Sequence, residues 1–396
     1  MVKTGTLKLS HFSVKEYLLS NCVEECFSIS EKAAHVKISE ISVAYLLQFD
    51  KLAPLTKARL ESSPLAEYAA EHWVDHATFE GIDPGRKKLI LQLFTPESAA
   101  FTNWVRIYNI DEQYPHQELS MDTAEVPLPL YYASLAGLQQ VSTHLLETGA
   151  DVNAQGGFYG NALQAASSGG HSVIVKLLIE KGADVNAQGG RYGNALQAAS
   201  LGGHSVIVKL LIEKGADVNA QGGQLGNALQ AASFGGHLVF VKLLIEKEAD
   251  VNAQGGLFGN ALQAASLRGH SVIVKLLMEK GADVNAQGGE YGNALQAASL
   301  GGHSVIVKLL IERGVDVNSQ GGQLGNALQA ASLEGHEVIL KLLIEQGADV
   351  NAQGGEYGNA LQAASLGGHS LIVKLLIDKG ADVNAPQINI PFLHTP

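Results

Sequence analysis

The sequence predicts an all-α solenoid of eight helix–turn–helix repeats with hairpin loops, preceded by a separate helical region. Three observations support this prediction. The string Gly-Asn-Ala-Leu-Gln-Ala-Ala-Ser recurs with a fixed period of 33 residues, a second and apolar string follows each copy, and 44 glycines punctuate the 396-residue chain. A fixed period in this range is typical of repeats that stack on one another and bury a continuous core.

The composition narrows the class of protein. Apolar residues make up 46% of the chain, charged residues make up 17%, and the net charge is -12. This negative charge argues against sequence-independent binding to nucleic acid or to an anionic membrane surface. No stretch approaches the ~18 apolar residues of a membrane helix, and the N-terminus lacks the apolar core of a secretory signal. Cys22 and Cys26 cannot build a disulfide framework, so we expect a cytoplasmic protein.

Residues 1–120 are predicted to form a helical region of their own. Ser13 has capping-box spacing to Glu16 and opens a first helix, and Ser30 can cap a long helix that runs to about Phe49. Four prolines, at positions 54, 64, 84 and 96, divide the remainder into short helical pieces.

Residues 128–392 are predicted to hold the eight repeats, with a linker at residues 121–127 before them and a tail at residues 393–396 after them. Each regular repeat begins with an N-cap asparagine, and a glutamine three residues later gives the capping-box spacing. The seven regular copies have this asparagine at positions 161, 194, 227, 260, 293, 326 and 359. The first helix of a repeat is therefore short, about Ala162 to Ser168, and Gly169-Gly170 end it.

The second helix of each repeat is apolar over most of its circumference. In the first regular copy it contains Val173-Ile174-Val175 and Leu177-Leu178-Ile179, so neighbouring repeats must cover it on more than one side. Gly182 is expected to end this helix in the left-handed conformation, before an Asp-Val-Asn-Ala-Gln-Gly-Gly turn. One repeat has Glu248 in place of this glycine, which should force a side chain into the left-handed region.

The 33-residue period with two helices and a turn resembles the ankyrin repeat, whose signature is Thr-Pro-Leu-His-x-Ala. The divergent first copy keeps Pro129-Leu130, whereas the regular copies have Asn-Ala-Leu-Gln, as at residues 161–164. Asn can cap a helix as Thr does, and Gln can take the polar role of the missing His. The resemblance implies an ankyrin-repeat solenoid that binds proteins, without catalysis and without a cofactor.

The N-terminal region resembles the segment that follows the nucleotide-binding module in NACHT and ankyrin (NLR-like) receptors of filamentous fungi. The strings that carry this resemblance are residues 9–18, Ala34-His35 with Tyr45-Leu46-Leu47, and residues 64–73. Such receptors bind nucleotide through Gly-x-x-x-x-Gly-Lys-Ser/Thr, and no Gly-Lys pair occurs in this chain. The resemblance therefore implies the ligand-sensing arm of a truncated receptor, in non-self recognition or programmed cell death, without the nucleotide-binding module.

Two alternative functions stay open. The first is a stand-alone cytosolic adaptor or inhibitor of a single partner protein. The second is a zinc enzyme, because His72, Asp75 and His76 approach the His-x-x-Glu-His motif of zinc peptidases, although Asp replaces the Glu and no third ligand is evident.

Two recurring patterns are predicted to be structural. The Gly-Gly-x-x-Gly loops, as at residues 189–193, lack the spacing of a dinucleotide-binding loop, so we interpret them as turns. The histidines at one position of every regular repeat lie too far apart to share a metal, because stacked helices are about 8–10 Å apart. We interpret them as polar side chains that have a structural role in the turn between the two helices.

Positions that vary among otherwise near-identical repeats locate the predicted binding surface. In the ankyrin family the hairpin tips and the exposed side of the first helix bind proteins, and the variable positions map onto both. The predicted binding residues at the loop tips are Phe158, Tyr159, Arg191, Tyr192, Gln224, Leu225, Leu257, Phe258, Glu290, Tyr291, Gln323, Leu324, Glu356 and Tyr357. Those at the end of the first helix are Ser168, Leu201, Phe234, Leu267, Arg268, Leu300, Leu333, Glu334 and Leu366. Each loop tip consists of two adjacent residues from the first list. The second of the two is always Tyr, Phe or Leu, and it can either contact a partner or pack between adjacent loops.

Overall fold

The computed structural model describes residues 30–50, 55–78, 84–95, 98–112, 117–122 and 125–386. Within these ranges the chain is helical, with isolated β-bridges in the repeat loops, so the predicted all-α solenoid is confirmed. The helix predicted from Ser13, both cysteines and the tail at residues 393–396 lie outside these ranges. The chain divides into two compact units, Met1–Asp151 and Val152–Pro396.

The first unit contains seven α-helices within its described ranges. They are α1 (Glu31–Leu46), which continues as a 3₁₀ turn (Leu47–Phe49), α2 (Lys57–Glu61), α3 (Ala66–Thr78), α4 (Pro84–Leu93), α5 (Ala99–Ile107), α6 (Pro129–Leu135) and α7 (Gln139–Glu147). Ser30 caps α1, because its Oγ accepts a hydrogen bond from the amide of Ala33 at 3.2 Å. The long helix predicted from Ser30 to about Phe49 is confirmed.

Aromatic side chains form the core of the first unit. Trp73 and Trp104 are fully buried with their ring centroids 5.1 Å apart, and Tyr132 lies edge-on to Trp104 at 5.7 Å. The indole of Trp104 donates to the carbonyl of Ala70 at 3.0 Å, and the hydroxyl of Tyr132 donates to Asn109 Oδ1 at 2.8 Å. Tyr132 belongs to the divergent first repeat, so that repeat shares a core with the helices before it. The boundaries at residues 120 and 128 stay predictions.

The second unit contains the seven regular repeats, and each has a short first helix and a second helix of nine residues. In order they are α8 (Ala162–Ser168) and α9 (Ser172–Glu180), α10 (Ala195–Gly202) and α11 (Ser205–Glu213), α12 (Ala228–Gly235) and α13 (Leu238–Glu246), α14 (Ala261–Leu267) and α15 (Ser271–Glu279), α16 (Ala294–Leu300) and α17 (Ser304–Glu312), α18 (Ala327–Leu333) and α19 (Glu337–Glu345), and α20 (Ala360–Leu366) and α21 (Ser370–Asp378). The predicted bounds of the first helix, Ala162 to Ser168, are confirmed. No helix in the described part of the chain has the length and apolar character needed to cross a membrane.

Asparagines begin the first helices, as predicted. Each N-cap side chain accepts the amide hydrogen bond of the glutamine three residues later, for example Asn194 Oδ1 from the Gln197 amide at 2.9 Å. In the repeats that begin at Asn194, Asn293 and Asn326 the glutamine side chain returns the bond and completes the capping box. A cap of this kind contributes about 1 kcal/mol to helix stability.

Histidines begin the second helices and tie neighbouring repeats together. His204 is the N-cap of α11, and its Nε2 donates to the carbonyl of Ser168 in the preceding repeat at 2.9 Å. The same bond to the residue 36 positions earlier is made by His237, His270, His303, His336 and His369. The histidines therefore have a structural role in the turn between the helices, as predicted.

Glu248 occupies a backbone conformation that favours glycine. Its φ is 65°, and no other non-glycine residue in the described ranges has a positive φ. The equivalent residue of the preceding repeat, Gly215, has a φ of 85°. The predicted left-handed conformation is thus confirmed, and Asn219 Nδ2 still donates to the Glu248 carbonyl at 3.1 Å.

Glu248→Gly is expected to raise the free energy of unfolding by about 1 kcal/mol, because glycine adopts the left-handed region without the Cβ clash. Urea and thermal unfolding of the full chain measure the change. The matched control is Gly215→Glu, where an added Cβ meets no atom within 4 Å, so backbone strain alone should lower the stability by a similar amount. An unchanged or lower stability of Glu248→Gly would contradict the prediction.

Candidate protein-binding surface

Backbone hydrogen bonds join the loop tips of the regular repeats. The amide of Arg191 donates to the carbonyl of Phe158 at 2.8 Å, and each later first-tip residue repeats this bond to the one before it. We call the resulting series the tip row, and it consists of Phe158, Arg191, Gln224, Leu257, Glu290, Gln323 and Glu356. The bonds hold these seven residues in a fixed order along one edge of the second unit.

A buried glutamine in each first helix positions the loop of the next repeat. Gln197 has no exposed surface, and its Nε2 donates to the carbonyls of Gly226 at 2.8 Å, Ala220 at 3.3 Å and Gly222 at 3.4 Å. The loops also approach one another closely, because a Cβ added to Gly190 would lie 2.1 Å from the carbonyl carbon of Tyr159. The sequence indicated only a polar role for this glutamine, and the structure shows that it holds the loop of the following repeat.

The second tip residues pack inward. Leu225, Phe258 and Leu324 expose only 4%, 7% and 6% of their surfaces. The ring of Phe258 stacks on Phe234 at a centroid distance of 4.3 Å and lies nearly parallel to Tyr291 at 6.2 Å. This burial corrects the predicted binding set, because Leu225, Phe258 and Leu324 pack between adjacent loops and present almost no surface to a partner. The tyrosines at the equivalent position are half-buried, namely Tyr159, Tyr192, Tyr291 and Tyr357.

The ends of the first helices add a half-exposed apolar patch. Ser168, Leu201, Phe234, Leu267, Leu300 and Leu333 are half-buried, and Leu366 in the last repeat is exposed. Five half-buried side chains pack together on Leu225 and Phe258, and we call them the central apolar cluster. Its members are Tyr192, Leu201, Phe234, Leu267 and Tyr291. Loop tips and helix ends of successive repeats thus form one apolar surface in the middle of the array.

Two arginines stack on aromatic rings at this surface. The guanidinium of Arg268 lies 4.9 Å from the ring centroid of Phe234, and that of Arg191 lies 5.1 Å from the ring centroid of Phe158. Arg191 Nε also donates to Gln224 Oε1 at 2.6 Å. Cation–π contacts order both arginine heads, and aromatic residues with arginine are the types that dominate binding energy in interfaces. The tip row, the central apolar cluster, Arg268 and Glu334 together are called the recognition surface below.

Arg268 also acts on the histidine of its own repeat. Burial lowers the pKa of His270, the hydrogen bond from its Nε2 to the Phe234 carbonyl at 3.1 Å opposes that shift, and the positive charge of Arg268 lowers the pKa further. As pH falls below about 6.5, the unfolded chain therefore takes up this proton before the folded chain does. The contribution of His270 to stability is present above that pH and is lost as the pH falls through the folded-state pKa.

Arg268→Gln is expected to raise the pKa of His270, because it removes a positive charge near the imidazole and keeps a side chain of similar length. NMR titration of the His270 ring proton in the full chain measures the shift. Arg191→Gln removes the same charge from a loop more than two repeats away in sequence, so it should leave the pKa of His270 unchanged. Equal pKa values in the wild-type chain and Arg268→Gln would refute this electrostatic account.

The histidines of α3 do not converge on a common point. His76 Nδ1 lies 2.7 Å from His35 Nδ1 on α1, and His76 Nε2 lies 3.4 Å from the hydroxyl of Tyr68. His72 Nε2 lies 3.7 Å from the carboxylate of Glu71. Burial lowers the pKa of His76, and His35 lowers it further. Within the described ranges, no three His, Cys, Asp or Glu side chains are grouped so as to hold a metal ion. This geometry gives the zinc-enzyme alternative no support.

Comparison with known proteins agrees with the architecture of the repeats. A family model described as ankyrin repeats (3 copies) matches residues 130–222, 228–321, 263–354 and 294–387, which together cover well over half of the chain. The azaphilone pigments biosynthesis cluster protein L of Monascus ruber is 41% identical over 188 residues, which is 43% of this chain and 39% of that protein. The chain thus matches less than half of the length of this relative. The two-helix repeats, their period and the family match show that the chain belongs to the ankyrin repeat family, whose repeats form protein–protein interaction modules.

Proposed function

We propose that the recognition surface binds a partner protein and that the chain is the non-catalytic, ligand-sensing arm of an NLR-like receptor. The observation that carries the binding proposal is the central apolar cluster beside two ring-stacked arginines. Such a patch has the composition of the desolvated centre of an interface, where a few aromatic and arginine side chains supply most of the affinity.

Differences between repeats support the same surface. The segment from Asn194 to Gly223 differs from the segment from Asn293 to Gly322 only at Lys214/Arg313, Ala216/Val315 and Ala220/Ser319. In contrast, the tip before the first segment is Arg191 and the tip before the second is Glu290. Near-identical scaffolds with different surface residues are what a family of variable binding arms requires.

A binding screen tests the proposed surface. The full chain and a variant with alanine at all seven positions of the tip row are screened against proteins of the source organism. The proposal expects the variant to lose partners that the wild-type chain retains. A variant that keeps every partner would place binding elsewhere.

The receptor-arm proposal rests on the resemblance of the N-terminal strings to the segment after a NACHT module. Its test is the size of the native product, detected with an antibody against the repeats. A product much larger than 41.7 kDa that contains a nucleotide-binding module supports the receptor arm. A product near 41.7 kDa would be either a complete adaptor, which is the second candidate, or a truncated receptor that has no nucleotide switch of its own.

The second candidate is a stand-alone adaptor that docks one partner protein. Its support is the similarity to a relative that is named for a pigment biosynthesis cluster. An adaptor of this kind would bind a protein of a biosynthetic pathway. Deletion of the gene should then change the metabolites of the organism and leave its cell-death responses intact.

A further inference from the structure

We propose that the recognition surface selects a partner segment of polarised charge, with carboxylates where it meets Arg191 and Arg268, apolar side chains against the central apolar cluster, and lysines or arginines at the end that meets the last three repeats. This inference rests on the proposed protein-binding function. It adds the chemistry of the partner and its direction along the array.

The charges of the recognition surface change sign along the second unit. When each loop is counted with the first helix that follows it, Arg191 and Arg268 belong to the first four regular repeats, whereas Glu290, Glu334 and Glu356 belong to the last three. The three glutamates are exposed, and none has an ion-pair partner among the described residues. The first half of the surface therefore carries two positive charges and the second half carries three negative charges.

The remaining charges add little to this polarity. Lysine, glutamate and aspartate recur at fixed positions in almost every repeat, so they contribute nearly the same charge at each step of the array. Three residues interrupt the pattern away from the recognition surface, and one of them is Gln346, which replaces the recurring lysine. Glu248 follows α13, and Glu337 is in the first turn of α19, where Lys341 pairs with it at 2.5 Å.

The spacing keeps the two charged ends separate. The backbone bonds of the tip row place Arg191 second, Glu290 fifth and Glu356 seventh, so the order of the charges is fixed. Stacked helices are about 8–10 Å apart, which puts Arg191 roughly 24–30 Å from Glu290. The Debye length is only about 8 Å at physiological ionic strength, so Arg191 and Glu356, the first and last charged residues of the tip row, act as separate charges. Arg268 lies between them, on the ring of Phe234 in the central apolar cluster and one repeat step from Glu290.

The chemistry of the side chains fits opposite charges on the partner. Arg191 uses Nε for Gln224 and retains its terminal amino groups, which match the two oxygens of a carboxylate. The row from Arg191 to Glu356 spans five repeat steps, or roughly 40–50 Å. An extended segment advances about 3.3 Å per residue, so roughly 12–15 residues would reach from one end to the other.

A displayed library of random 16-residue peptides tests the inference on the full chain. Peptides selected on the wild-type chain are expected to combine acidic and basic residues around an apolar centre. The charge-reversal variant E290K/E334K/E356K should bind these peptides with at least tenfold lower affinity, and it should select new peptides without Lys or Arg enrichment. The control variant E246K/E279K/E312K makes the same change in net charge on exposed glutamates of the second helices, and it should change affinity less than twofold.

Photo-crosslinking resolves the direction of the bound peptide. Benzoylphenylalanine at position 158, beside Arg191, should crosslink to the acidic end of a selected peptide, and at position 323, between Glu290 and Glu356, to the basic end. Peptides that crosslink at both positions but show no charge bias, or equal losses in the reversal and control variants, would overturn the polarity inference alone. Peptides that crosslink at neither position would contradict the proposed binding surface itself.

Discussion

Gln197→Leu is expected to lower the free energy of unfolding of the repeat array by about 3 kcal/mol. Gln197 is fully buried, its Oε1 accepts from the amide of Asn194 at 2.7 Å, and its Nε2 donates to three carbonyls of the next loop. Leucine fills a similar volume but leaves these groups without their partner. Each buried polar group that loses its hydrogen bond costs about 1–3 kcal/mol, and some of the carbonyls retain other bonds.

The matched control for this substitution is Gln362→Leu in the last regular repeat. Gln362 occupies the equivalent position but is only half-buried, and its Nε2 donates to the carbonyl of Pro386 at 2.8 Å. Water can replace that exposed bond, so a loss below about 1 kcal/mol is expected. Urea unfolding measures both changes, and hydrogen exchange should show faster opening of the loop at residues 217–226 in Gln197→Leu alone. Equal losses in the two variants would show that burial of the glutamine does not determine its contribution.

Local features of this chain are predictable from its sequence. The first helix from Ala162 to Ser168 depends on an N-cap three residues before its glutamine and on two glycines after its end, and all of these lie within one short segment. The left-handed conformation of Glu248 follows from the glycine found at the same position of the other repeats. Such features are set by neighbours along the chain, so the sequence of a single repeat determines them.

Features that join different repeats or helices are not predictable in this way. Gln197 bonds to carbonyls up to 29 residues later, and His76 contacts His35, which is 41 residues earlier. Nothing in the sequence specifies either partner. The inward packing of Leu225 and Leu324 did leave a signal, because the second tip position accepts only Tyr, Phe or Leu while the first tip position varies freely.

Phe234→Leu is expected to lower the affinity for peptides that bind the recognition surface about tenfold, and Phe234→Ala is expected to lower it about a hundredfold. The ring of Phe234 lies between Phe258 and the guanidinium of Arg268, so its loss removes a partly exposed anchor and releases the arginine. Residues of this kind contribute 2 kcal/mol or more to an interface, and about 2.7 kcal/mol corresponds to a hundredfold change in affinity. Fluorescence anisotropy with peptides selected on the wild-type chain measures these changes.

Phe240→Ile separates binding from folding in this test. Five other regular repeats have leucine at the position of Phe234, and six have isoleucine at the position of Phe240, so both substitutions introduce a residue that the scaffold already accommodates. Phe240 is 5% exposed on the second helix of the same repeat and contacts His237 outside the recognition surface. Its replacement should leave affinity within twofold of the wild-type value. If both substitutions weakened binding equally, the affinity would depend on the integrity of the repeat and not on an anchor at Phe234.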